Sequence, residues 1–546
     1  MGDQGTLVLV NGTPYTWQLV GVHSYQLSKW SFPRTVSPFA AVAVNVQRSD
    51  APFRDRTQDG GEATFGIVGT SSSNPLSFVV QARADNGLPF RLQVQLTSVA
   101  TQGNPIGSLV SLGWVVDGQI NFVLAGKYNN TGTGFVCNNT PVAWMHASLA
   151  SIGSRPLRQI CMPGSHDSGM FVRNKSTIGV FDCNALTQRV GFGEQLECGA
   201  RYFDLRPAVS SGQYVCGHYS SVNGTLLGAN GQTFDNIIQD LNKFTAQNAE
   251  LVILNLSHDL NADKGGAGIP FNQDDWDKFL VYLQSSIRSL YIAPGGVNTD
   301  LAAQPLNAFI GSGRAAVICM FAPADGGHVS LSSQFAGKGF YRYTQLNAYD
   351  RYSNTNDLAA MTSDQLSKMR ATRQTPDSTF FLCSWTLTQN AVQASTCFLG
   401  TASSILELGA KANVSLFNVL WPSCTSACYP NVLFIDALDS KVYTALAMAV
   451  NSLLGASKMS PAATLSVENG SHQQAEQPSV TGDSHTHNAS VVVHEAAATV
   501  EHRVSTVFGA FSDRVEVAVT KTIKQVDVRR AHIADLRATK DAKQQP

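Results

Sequence analysis

The feature that most constrains the fold is a series of short apolar segments between residues 141 and 455, which alternate with segments of helical pattern. Runs such as ELVILNLS, AAVICMFA and NVLFIDAL are apolar on both faces of an extended chain, which is typical of strands buried in a parallel sheet. Between strands, TFDNIIQDLNKFTAQN and WDKFLVYLQSSIRSLY carry apolar residues three and four positions apart, as amphipathic helices do. About eight strands that alternate with helices predict an α/β fold that closes into a barrel.

The segments on either side of this region follow other patterns. Residues 1–140 contain short β-rich runs, among them TLVLVNG, YTWQLVGV and LSFVVQARA, separated by Gly, Asn, Asp and Pro, which predicts an all-β, sandwich-like accessory domain. Residues 456–490 lack the apolar content needed to pack and are predicted to be a disordered linker. In residues 491–546, apolar side chains from Val500 to Val519 recur at helical spacing, which predicts an amphipathic helix that docks on this protein, on a second copy or on a membrane surface.

The charge balance bounds the classes of partner. The 546 residues include 38 Lys and Arg against 39 Asp and Glu, and no basic cluster that would bind nucleic acid stands out. The N-terminal MGDQGTLVLVNG has no basic segment followed by a long apolar run, and YTALAMAVNSLLGA is too short to span a membrane. We therefore expect neither a signal peptide nor a transmembrane segment, and a protein that is cytoplasmic or secreted by a non-classical route.

The cysteines leave the redox compartment open. Ten of them are spread from Cys137 to Cys428. Cys424 and Cys428, in CTSAC, could pair with each other or bind a metal ion, but the chain offers no second couple of matching spacing. The disulfide state is therefore not predicted.

Polar, chemically reactive side chains occur near the ends of the predicted strands. They are His166 and Asp167 after LRQICM, Asp204 and Arg206 in GARYFDLRP, His218 in QYVCGHYSS, His258 after ELVILNLS, Asp350 and Tyr352 after FYRYTQ, and Asp436 in NVLFIDAL. Each alone has a structural explanation, such as an ion pair between Asp204 and Arg206. Because active sites of this barrel lie at the carboxyl ends of its strands, the common placement predicts a single site.

Two histidines, an arginine and buried carboxylates suit the cleavage of a phosphodiester. One histidine accepts the proton of an attacking hydroxyl, the second protonates the leaving oxygen, and the arginine neutralises charge on the phosphate. A carboxylate behind a histidine fixes its tautomer and raises its basicity, and Asp436 is expected to do this for His166.

Several motifs resemble those of a known family. MPGSHDSG, GARYFDLR and GHYS, followed by SWTLTQ and PNVLFID, are similar to motifs of the X domain of phosphatidylinositol-specific phospholipase C and of the wider superfamily of phospholipase C-like phosphodiesterases, including fungal relatives. The resemblance covers about residues 141–452 and implies a distorted TIM barrel in which the inositol 2-hydroxyl attacks the phosphate to give a cyclic phosphate. It implies five roles: His166 as general base, His218 as general acid, Asp204 as the support of that acid, Arg206 as phosphate ligand, and Asp436 as the residue that orients His166.

The same resemblance implies that no metal ion is needed. Calcium-dependent members of the family have Asn after the first histidine and a Glu-x-Asp pair on the second strand, which supply oxygen ligands. Here Asp167 follows His166, and the second strand carries Asp204-Leu-Arg206. Because the Arg206 guanidinium would put a fixed positive charge where calcium lies, we expect a metal-independent enzyme without a cofactor, and regard calcium or magnesium as the disfavoured alternative.

The residues expected to contact the substrate form a second group, which comprises Asp167, His258, Asp350, Tyr352 and, in SWTLTQ, Trp385. The cations with which bacterial members recognise inositol have no counterpart in NLSHD or AAVICMFAPADG, so the head group is not predicted. The alternative is a non-catalytic protein that binds a lipid head group or a glycan through the barrel and the β domain. The expected partners are a phospholipid or phosphodiester substrate, a membrane contacted peripherally, and a second copy of the chain through the C-terminal helix, but no nucleic acid.

Overall fold

The computed structural model describes residues 3–50, 55–70, 75–84, 89–129, 134–222, 225–265, 268–324 and 328–454. The predicted linker over residues 456–490 and the predicted helix within residues 491–546 lie outside the described residues. Self-association through that helix therefore stays a prediction.

The N-terminal strands form two sheets that pack face to face. Their bounds are β1 Gln4–Gly12, β2 Thr16–Tyr25, β3 Leu27–Trp30, β4 Thr35–Val36, β5 Ala41–Arg48, β6 Gly60–Val68, β7 Leu76–Arg83, β8 Arg91–Gln95, β9 Leu109–Gly113, β10 Gln119–Gly126 and β11 Phe135–Cys137. One sheet has the order β11-β10-β1-β5-β3 and the other β4-β2-β6-β7-β8-β9. Aromatic side chains, including Trp17, Phe65, Phe78 and Phe122, fill the core between them.

The first of these sheets is buried on both faces. Side chains alternate along β1, so that Leu7 and Leu9 face the second sheet while Val8 and Val10 join the core of the following α/β region. Gly12 permits this close packing, because a Cβ there would lie 2.6 Å from the Ala449 Cβ. The predicted domain boundary at residue 140 stays a prediction, since hydrophobic packing is continuous across it.

The α/β region is built on a curled parallel sheet with the strand order β20-β19-β17-β13-β12-β23-β22-β21, in which every neighbouring pair is parallel. The strands of this region are β12 Met162–Ser165, β13 Tyr202–Leu205, β14 Pro207–Ser210, β15 Gln213–Val222, β16 Thr225–Thr233, β17 Leu251–Ser257, β18 Leu260–Asn261, β19 Ala316–Ala322, β20 Phe340–Arg342, β21 Ala348–Asp350, β22 Phe380–Ser384 and β23 Val432–Ile435. The predicted α/β class is confirmed. Within the described ranges, however, β20 and β21 do not pair, so the sheet forms a half-barrel that hydrogen bonds leave open.

Helices lie between these strands, as the apolar spacing predicts. Their bounds are α1 Trp144–Ala147, α2 Leu149–Ile152, α3 Phe192–Glu197, α4 Phe234–Gln247, α5 Gln273–Ser286, α6 Leu306–Ile310, α7 Leu358–Thr372, α8 Ala391–Thr396, α9 Ile405–Ser415, α10 Trp421–Ser423 and α11 Val442–Leu453. Helix α5 begins with a capping box in which Asn272 and Asp275 bond each other's backbone amides. In the part of the chain that the structure describes, no helix combines the length and apolar character needed to cross a membrane.

The first barrel strand lies later in the sequence than the apolar run LRQICM predicts. Residues Leu157–Gln159 form a 3-10 turn, and the strand itself is Met162–Ser165. Gly164 explains why this short segment fits, because a Cβ at that position would lie 2.3 Å from a methyl carbon of Val432 on the adjacent β23. Close approach of the two strands therefore requires glycine here, and it places His166 directly after the strand.

A small second sheet, with the order β16-β15-β14-β18, follows β13. It contains a long antiparallel hairpin of β15 and β16, in which His218 lies opposite Ala229. The predicted motif QYVCGHYSS is thus part of a hairpin beside the barrel and does not form one of the barrel strands.

One disulfide bond joins Cys183 to Cys397, two residues 214 positions apart in the sequence. It links the segment after β12 to the segment after β22. The CTSAC cysteines, Cys424 and Cys428, are free thiols in the structure.

Candidate active site

The parallel order of the sheet brings four strand ends together. Strands β17, β13, β12 and β23 are consecutive neighbours, so their carboxyl ends form one edge. His166 follows β12, Asp204 lies in β13 with Arg206 just after it, and Asp436 follows β23. Three of the residues at or after these ends have a left-handed backbone without being glycine: Asp167 (φ 41°), His258 (φ 53°) and Ala437 (φ 52°). Such strain costs of order 1–3 kcal/mol per residue and clusters at functional sites.

His166 is held at both ring nitrogens. Its Nδ1 lies 2.7 Å from Asp436 Oδ1, and its Nε2 lies 2.8 Å from an Arg206 guanidinium nitrogen. Because a carboxylate accepts and a guanidinium only donates, Nδ1 carries the proton and Nε2 carries the lone pair. Burial is the largest influence on the pKa of His166 and lowers it, but the Asp436 carboxylate outweighs burial, so the pKa lies above its usual value.

Arg206 is shared among several partners. Its guanidinium is 3.1 Å from Asp204 Oδ2 and 3.2 Å from Asp167 Oδ2, in addition to its contact with His166. Burial alone would lower the pKa of Arg206, whereas Asp167 and Asp204 raise it above its usual value. In turn, burial raises the pKa of Asp204, but Arg206 reverses this effect and holds the pKa well below its usual range. The site therefore holds a permanent cation between the side chains of Asp167 and Asp204.

His218 pairs with Asp167, whereas the resemblance implies Asp204 as its support. The distance from His218 Nδ1 to Asp167 Oδ2 is 3.1 Å, which is an ion-pair distance, although the two groups are not aligned as a hydrogen bond. Asp204 is instead occupied by Arg206 and by the Ser257 hydroxyl, 2.8 Å away. Asp167 is fully buried and faces Arg206 and His218, and its contact with substrate stays a prediction. The left-handed backbone of Asp167 turns its side chain inward, which strand periodicity could not reveal.

A third histidine lies at the end of β17. The Ser257 hydroxyl is 2.8 Å from Asp204 Oδ1 and 2.8 Å from His258 Nδ1, so it joins His258 to the central carboxylate. The imidazole of His258 is exposed at the mouth of the site. Sequence analysis named His258 as a substrate-binding residue but gave Ser257 no part in the site.

The remaining predicted substrate contacts differ in their placement. Asp350 is exposed, and Tyr343 donates a hydrogen bond of 3.1 Å to its Oδ2. Burial raises the pKa of Asp350, with the nearby Asp204 contributing in the same direction. Tyr352 is 60% exposed and has room to meet a ligand. Trp385 is fully buried and donates its indole N–H to Ala412 O and Ser415 Oγ, and its contact with substrate stays a prediction.

Two residues without a role in the sequence-based prediction stabilise the candidate site at the carboxyl edge of the sheet. The Gln188 amide donates to the carbonyl of His166 and accepts from the Leu438 N–H, which ties the end of β12 to the segment after β23. Tyr343 orients Asp350 as described above. Nothing in the local sequence distinguishes Gln188 from a surface glutamine, whereas the position of Tyr343 after a strand in FYRYTQ gives a weak signal.

Comparison with known proteins supports the resemblance seen in the motifs. No family model matches the chain. "PI-PLC X domain-containing protein 2" of Mus musculus is 35% identical over 96 residues, which cover 14% of this chain and 27% of the mouse protein. "1-phosphatidylinositol phosphodiesterase" of Staphylococcus aureus is 31% identical over 100 residues, or 18% of this chain and 29% of that protein. The matched segments span less than a third of either relative.

Solved structures match this chain at lower sequence identity but over more of its length. The F249X mutant of the phosphatidylinositol-specific phospholipase C of Staphylococcus aureus matches with a TM-score of 0.39 and 15% identity, over 58% of this chain and 98% of that one. The phosphatidylinositol-specific phospholipase C of Listeria monocytogenes matches with a TM-score of 0.35 and 12% identity, over 55% and 95% of the two chains. The matched segments are similar to phospholipase C X-domain proteins, in agreement with the resemblance that the motifs predict.

Proposed function

From the relationship of this chain to the phospholipase C X-domain superfamily, we propose that it is a phosphoric diester hydrolase of phospholipase C type. Its substrate is a phospholipid or another phosphodiester with an inositol-type head group. The observation that carries the proposal is the state of His166, whose Nδ1 faces Asp436 and whose Nε2 lone pair faces Arg206. A neutral imidazole with an oriented lone pair beside a cation is a general base placed next to a phosphate site.

The reaction follows from these groups. A head-group hydroxyl attacks the phosphorus and gives its proton to His166 Nε2, while Arg206 turns from that nitrogen to the phosphate oxygens. The bond from phosphorus to the leaving oxygen breaks, and His218 supplies the proton that this oxygen needs. Asp167 Oδ2 lies 3.1 Å from His218 Nδ1 and so holds the imidazole that supplies this proton. The products are a cyclic phosphate and a neutral alcohol, so atoms and charge balance.

Catalysis in this proposal uses no metal ion. The Arg206 guanidinium lies within 3.2 Å of both Asp167 and Asp204, the carboxylates nearest the reacting phosphate. A divalent cation at these oxygens would have to displace or repel that guanidinium. Arg206 thus supplies the positive charge that calcium would otherwise bring.

Contact with a lipid surface is part of the same proposal. Phe181 and Phe398 stack with a ring separation of 4.7 Å, and their side chains are 37% and 49% exposed. The disulfide between Cys183 and Cys397 lies directly beside this stack. Both segments follow barrel strands at their carboxyl ends, so the exposed rings lie on the side of the sheet that carries the catalytic groups.

The experiment measures head-group release from phosphatidylinositol vesicles and from soluble inositol phosphodiesters, with excess chelator. We expect turnover by the wild type that is lost in His166→Ala. The control His146→Ala removes an exposed histidine of helix α1 and should keep the turnover. Turnover that the chelator abolishes would contradict the metal-independent mechanism. A wild type that binds these phosphodiesters but cleaves none of them would instead favour a non-catalytic binding protein.

A further inference from the structure

Large apolar side chains are exposed on both of the segments that the disulfide joins. They are Ile178 and Phe181 in the segment after β12, and Val392, Phe398 and Leu399 in the segment after β22. Ile178 is 87% exposed and Leu399 is 62% exposed. Contact of apolar surface with water is unfavourable, so such side chains are typical of a surface that binds a partner. We call these side chains the rim surface, because both segments follow strands at the carboxyl edge of the sheet.

Short elements carry the rim surface. The first segment contains the 3-10 turn Asp182–Asn184, and the second contains helix α8, of six residues, followed by the 3-10 turn Cys397–Leu399. In these three elements, all of whose residues the structure describes, Cys397 is the single buried residue. A short helix in a protein is stabilised chiefly by the burial of an apolar face, and α8 has no such face. Other interactions must therefore hold the two segments in place.

The disulfide is the strongest link between the two segments. It joins Cys183 to Cys397, which are 214 positions apart in the sequence. It is accompanied by the stack of Phe181 on Phe398, by a hydrogen bond of 2.9 Å from the Asn184 amide to the Ala394 carbonyl, and by one of 3.1 Å from the Gln389 amide to the Cys183 carbonyl. The hydrogen bonds can be exchanged for bonds with water at little net cost in free energy, whereas the covalent bond cannot. Without the disulfide, we therefore expect the two segments to separate.

A dithiol can open this link. Cys183 is half-buried, whereas Cys397 is only 5% exposed, so Cys183 carries the sulfur that an external thiolate meets. Attack on Cys183 Sγ breaks the S–S bond, forms a mixed disulfide with the reductant and releases Cys397 as a thiolate. The second thiolate of the dithiol then displaces Cys183, and the reductant leaves as a disulfide. Two electrons pass from the dithiol to the protein, and each cysteine sulfur takes up one proton.

We propose that the disulfide between Cys183 and Cys397 is a redox switch that controls binding to a phospholipid surface. In the oxidised protein the rim surface is held together and enters the lipid, and in the reduced protein its two halves separate and the affinity for lipid falls. The partner is a phospholipid surface because the rim surface lies on the side of the sheet where a phospholipid substrate has to arrive, and this choice rests on the proposed function. The catalytic groups do not depend on the switch, because His166 is held by Asp436 and Arg206 from neighbouring strand ends.

Co-sedimentation with vesicles of phosphatidylcholine and phosphatidylinositol tests the switch without reference to turnover. We expect the oxidised wild type to bind about tenfold more tightly than the wild type reduced with dithiothreitol, and reoxidation to restore the affinity. The double variant Cys183→Ser/Cys397→Ser should bind like the reduced wild type under both conditions. Cys428→Ser, which removes a half-buried free thiol outside the two segments, is the matched control and should respond to dithiothreitol as the wild type does.

A second variant separates the switch from a general loss of structure. Leu399→Ser removes part of the rim surface and leaves the disulfide in place. It should weaken vesicle binding about tenfold in the oxidised protein but less than about twofold in the reduced one, because the reduced protein no longer presents the rim surface. Turnover of a soluble inositol phosphodiester should change less than about threefold on reduction, since the catalytic groups are held independently of the disulfide.

The outcomes distinguish the switch from the proposed function. Equal vesicle affinity of the oxidised wild type, the reduced wild type and the double serine variant would overturn the switch. Loss of the near-ultraviolet circular dichroism of the wild type on reduction would also overturn it, because the disulfide would then stabilise the whole fold. Vesicle binding that follows the redox state, in a wild type that cleaves no phosphodiester, would instead overturn the proposed phosphodiesterase and leave the switch standing. If the double serine variant does not fold, the comparison of reduced with reoxidised wild type still decides the question.

Discussion

Two arginines, five positions apart in the motif GARYFDLR, lie at opposite ends of the same strand. Arg201 precedes β13 and Arg206 follows it. At the amino end, Arg201 is completely buried and donates a hydrogen bond of 2.7 Å to Glu250. Its other guanidinium N–H groups donate to backbone carbonyls, those of Leu196, Ala200 and Val142. Glu250 also accepts the backbone N–H groups of Met145 and His146, so every charge at this end is satisfied. This pair joins α1 and the start of β13 to the residue that precedes β17.

At the carboxyl end the same residue type is used differently. Arg206 is divided among Asp204, Asp167 and His166, and its side chain is 14% exposed. Within the described residues, neither carboxylate oxygen of Asp167 has an aligned hydrogen bond, and the same holds for Asp436 Oδ2. A buried ion pair with all its partners is a structural element, whereas one with unsatisfied atoms next to an opening retains the capacity to bind. The two arginines therefore differ chiefly in whether the polar atoms around them all have hydrogen-bond partners, and less in how deeply they are buried.

The largest effect is expected when the arginine at the carboxyl end of β13 loses its charge. Arg206→Gln is expected to lower kcat/KM by about 10³-fold, because the phosphate loses its cation and His166 loses its neighbour. Turnover of phosphatidylinositol, measured on protein whose fold is verified by circular dichroism, checks it. Arg189→Gln is the control, since Arg189 forms an exposed ion pair with Asp439 near the same edge. A loss within tenfold would mean that Arg206 is as structural as Arg201.

The complementary change at the closed end should act on stability alone. Arg201→Gln leaves Glu250 as an unpaired buried charge, and we expect the free energy of unfolding to fall by about 3 kcal/mol. Urea denaturation measures this loss. In the folded fraction at low temperature, kcat/KM should equal that of the wild type. A variant with normal stability and reduced activity would remove the distinction between the two ends.

The sequence predicts the site better than it predicts the contacts within it. His166, Asp204, Arg206 and Asp436 lie at strand ends, and a parallel sheet brings its strand ends together, so motif and topology suffice for their proximity. The partner of His218 is different. Strand alternation cannot show that Asp167 turns inward, because that depends on a left-handed backbone at one residue.

The same limit applies to the fold. Apolar runs predict strands, but LRQICM is apolar because Leu157, Ile160 and Cys161 are buried in the core, and the strand begins only at Met162. The strand itself needs Gly164 to approach Val432. Trp385 follows a predicted strand, as a site residue would. Its indole nevertheless points into the core and bonds to Ser415, a contact between residues 30 positions apart. Long-range packing of this kind leaves no local pattern in the sequence.

A third prediction concerns the carboxylate behind the base. Because Asp436 raises the pKa of His166, and because the base must be neutral to accept a proton, kcat/KM should increase with pH through that pKa. Asp436→Asn is expected to move this acidic limb to lower pH and to lower the plateau about 10²-fold, since the Nδ1 proton is no longer held in place. A pH profile of kcat/KM checks both effects. Asp439→Asn is the matched control, and an acidic limb that stays in place would show that Asp436 does not act on His166.

The smallest expected effect tests whether the open end also contributes to stability. Asp204 has a pKa below its unfolded value of about 3.9, to which the Ser257 hydrogen bond contributes, so its ionised form stabilises the fold above that pH and loses this contribution as the pH falls below it. Ser257→Ala should therefore lower the free energy of unfolding by about 1 kcal/mol at pH 7, and by less in an Asp204→Asn background, where the charge that strengthens the hydrogen bond is absent. Urea denaturation in both backgrounds measures the difference, with the exposed Ser285→Ala as control. An equal loss in both backgrounds would mean that Ser257 acts through packing, as the residues around Arg201 do, and not through the ionised Asp204.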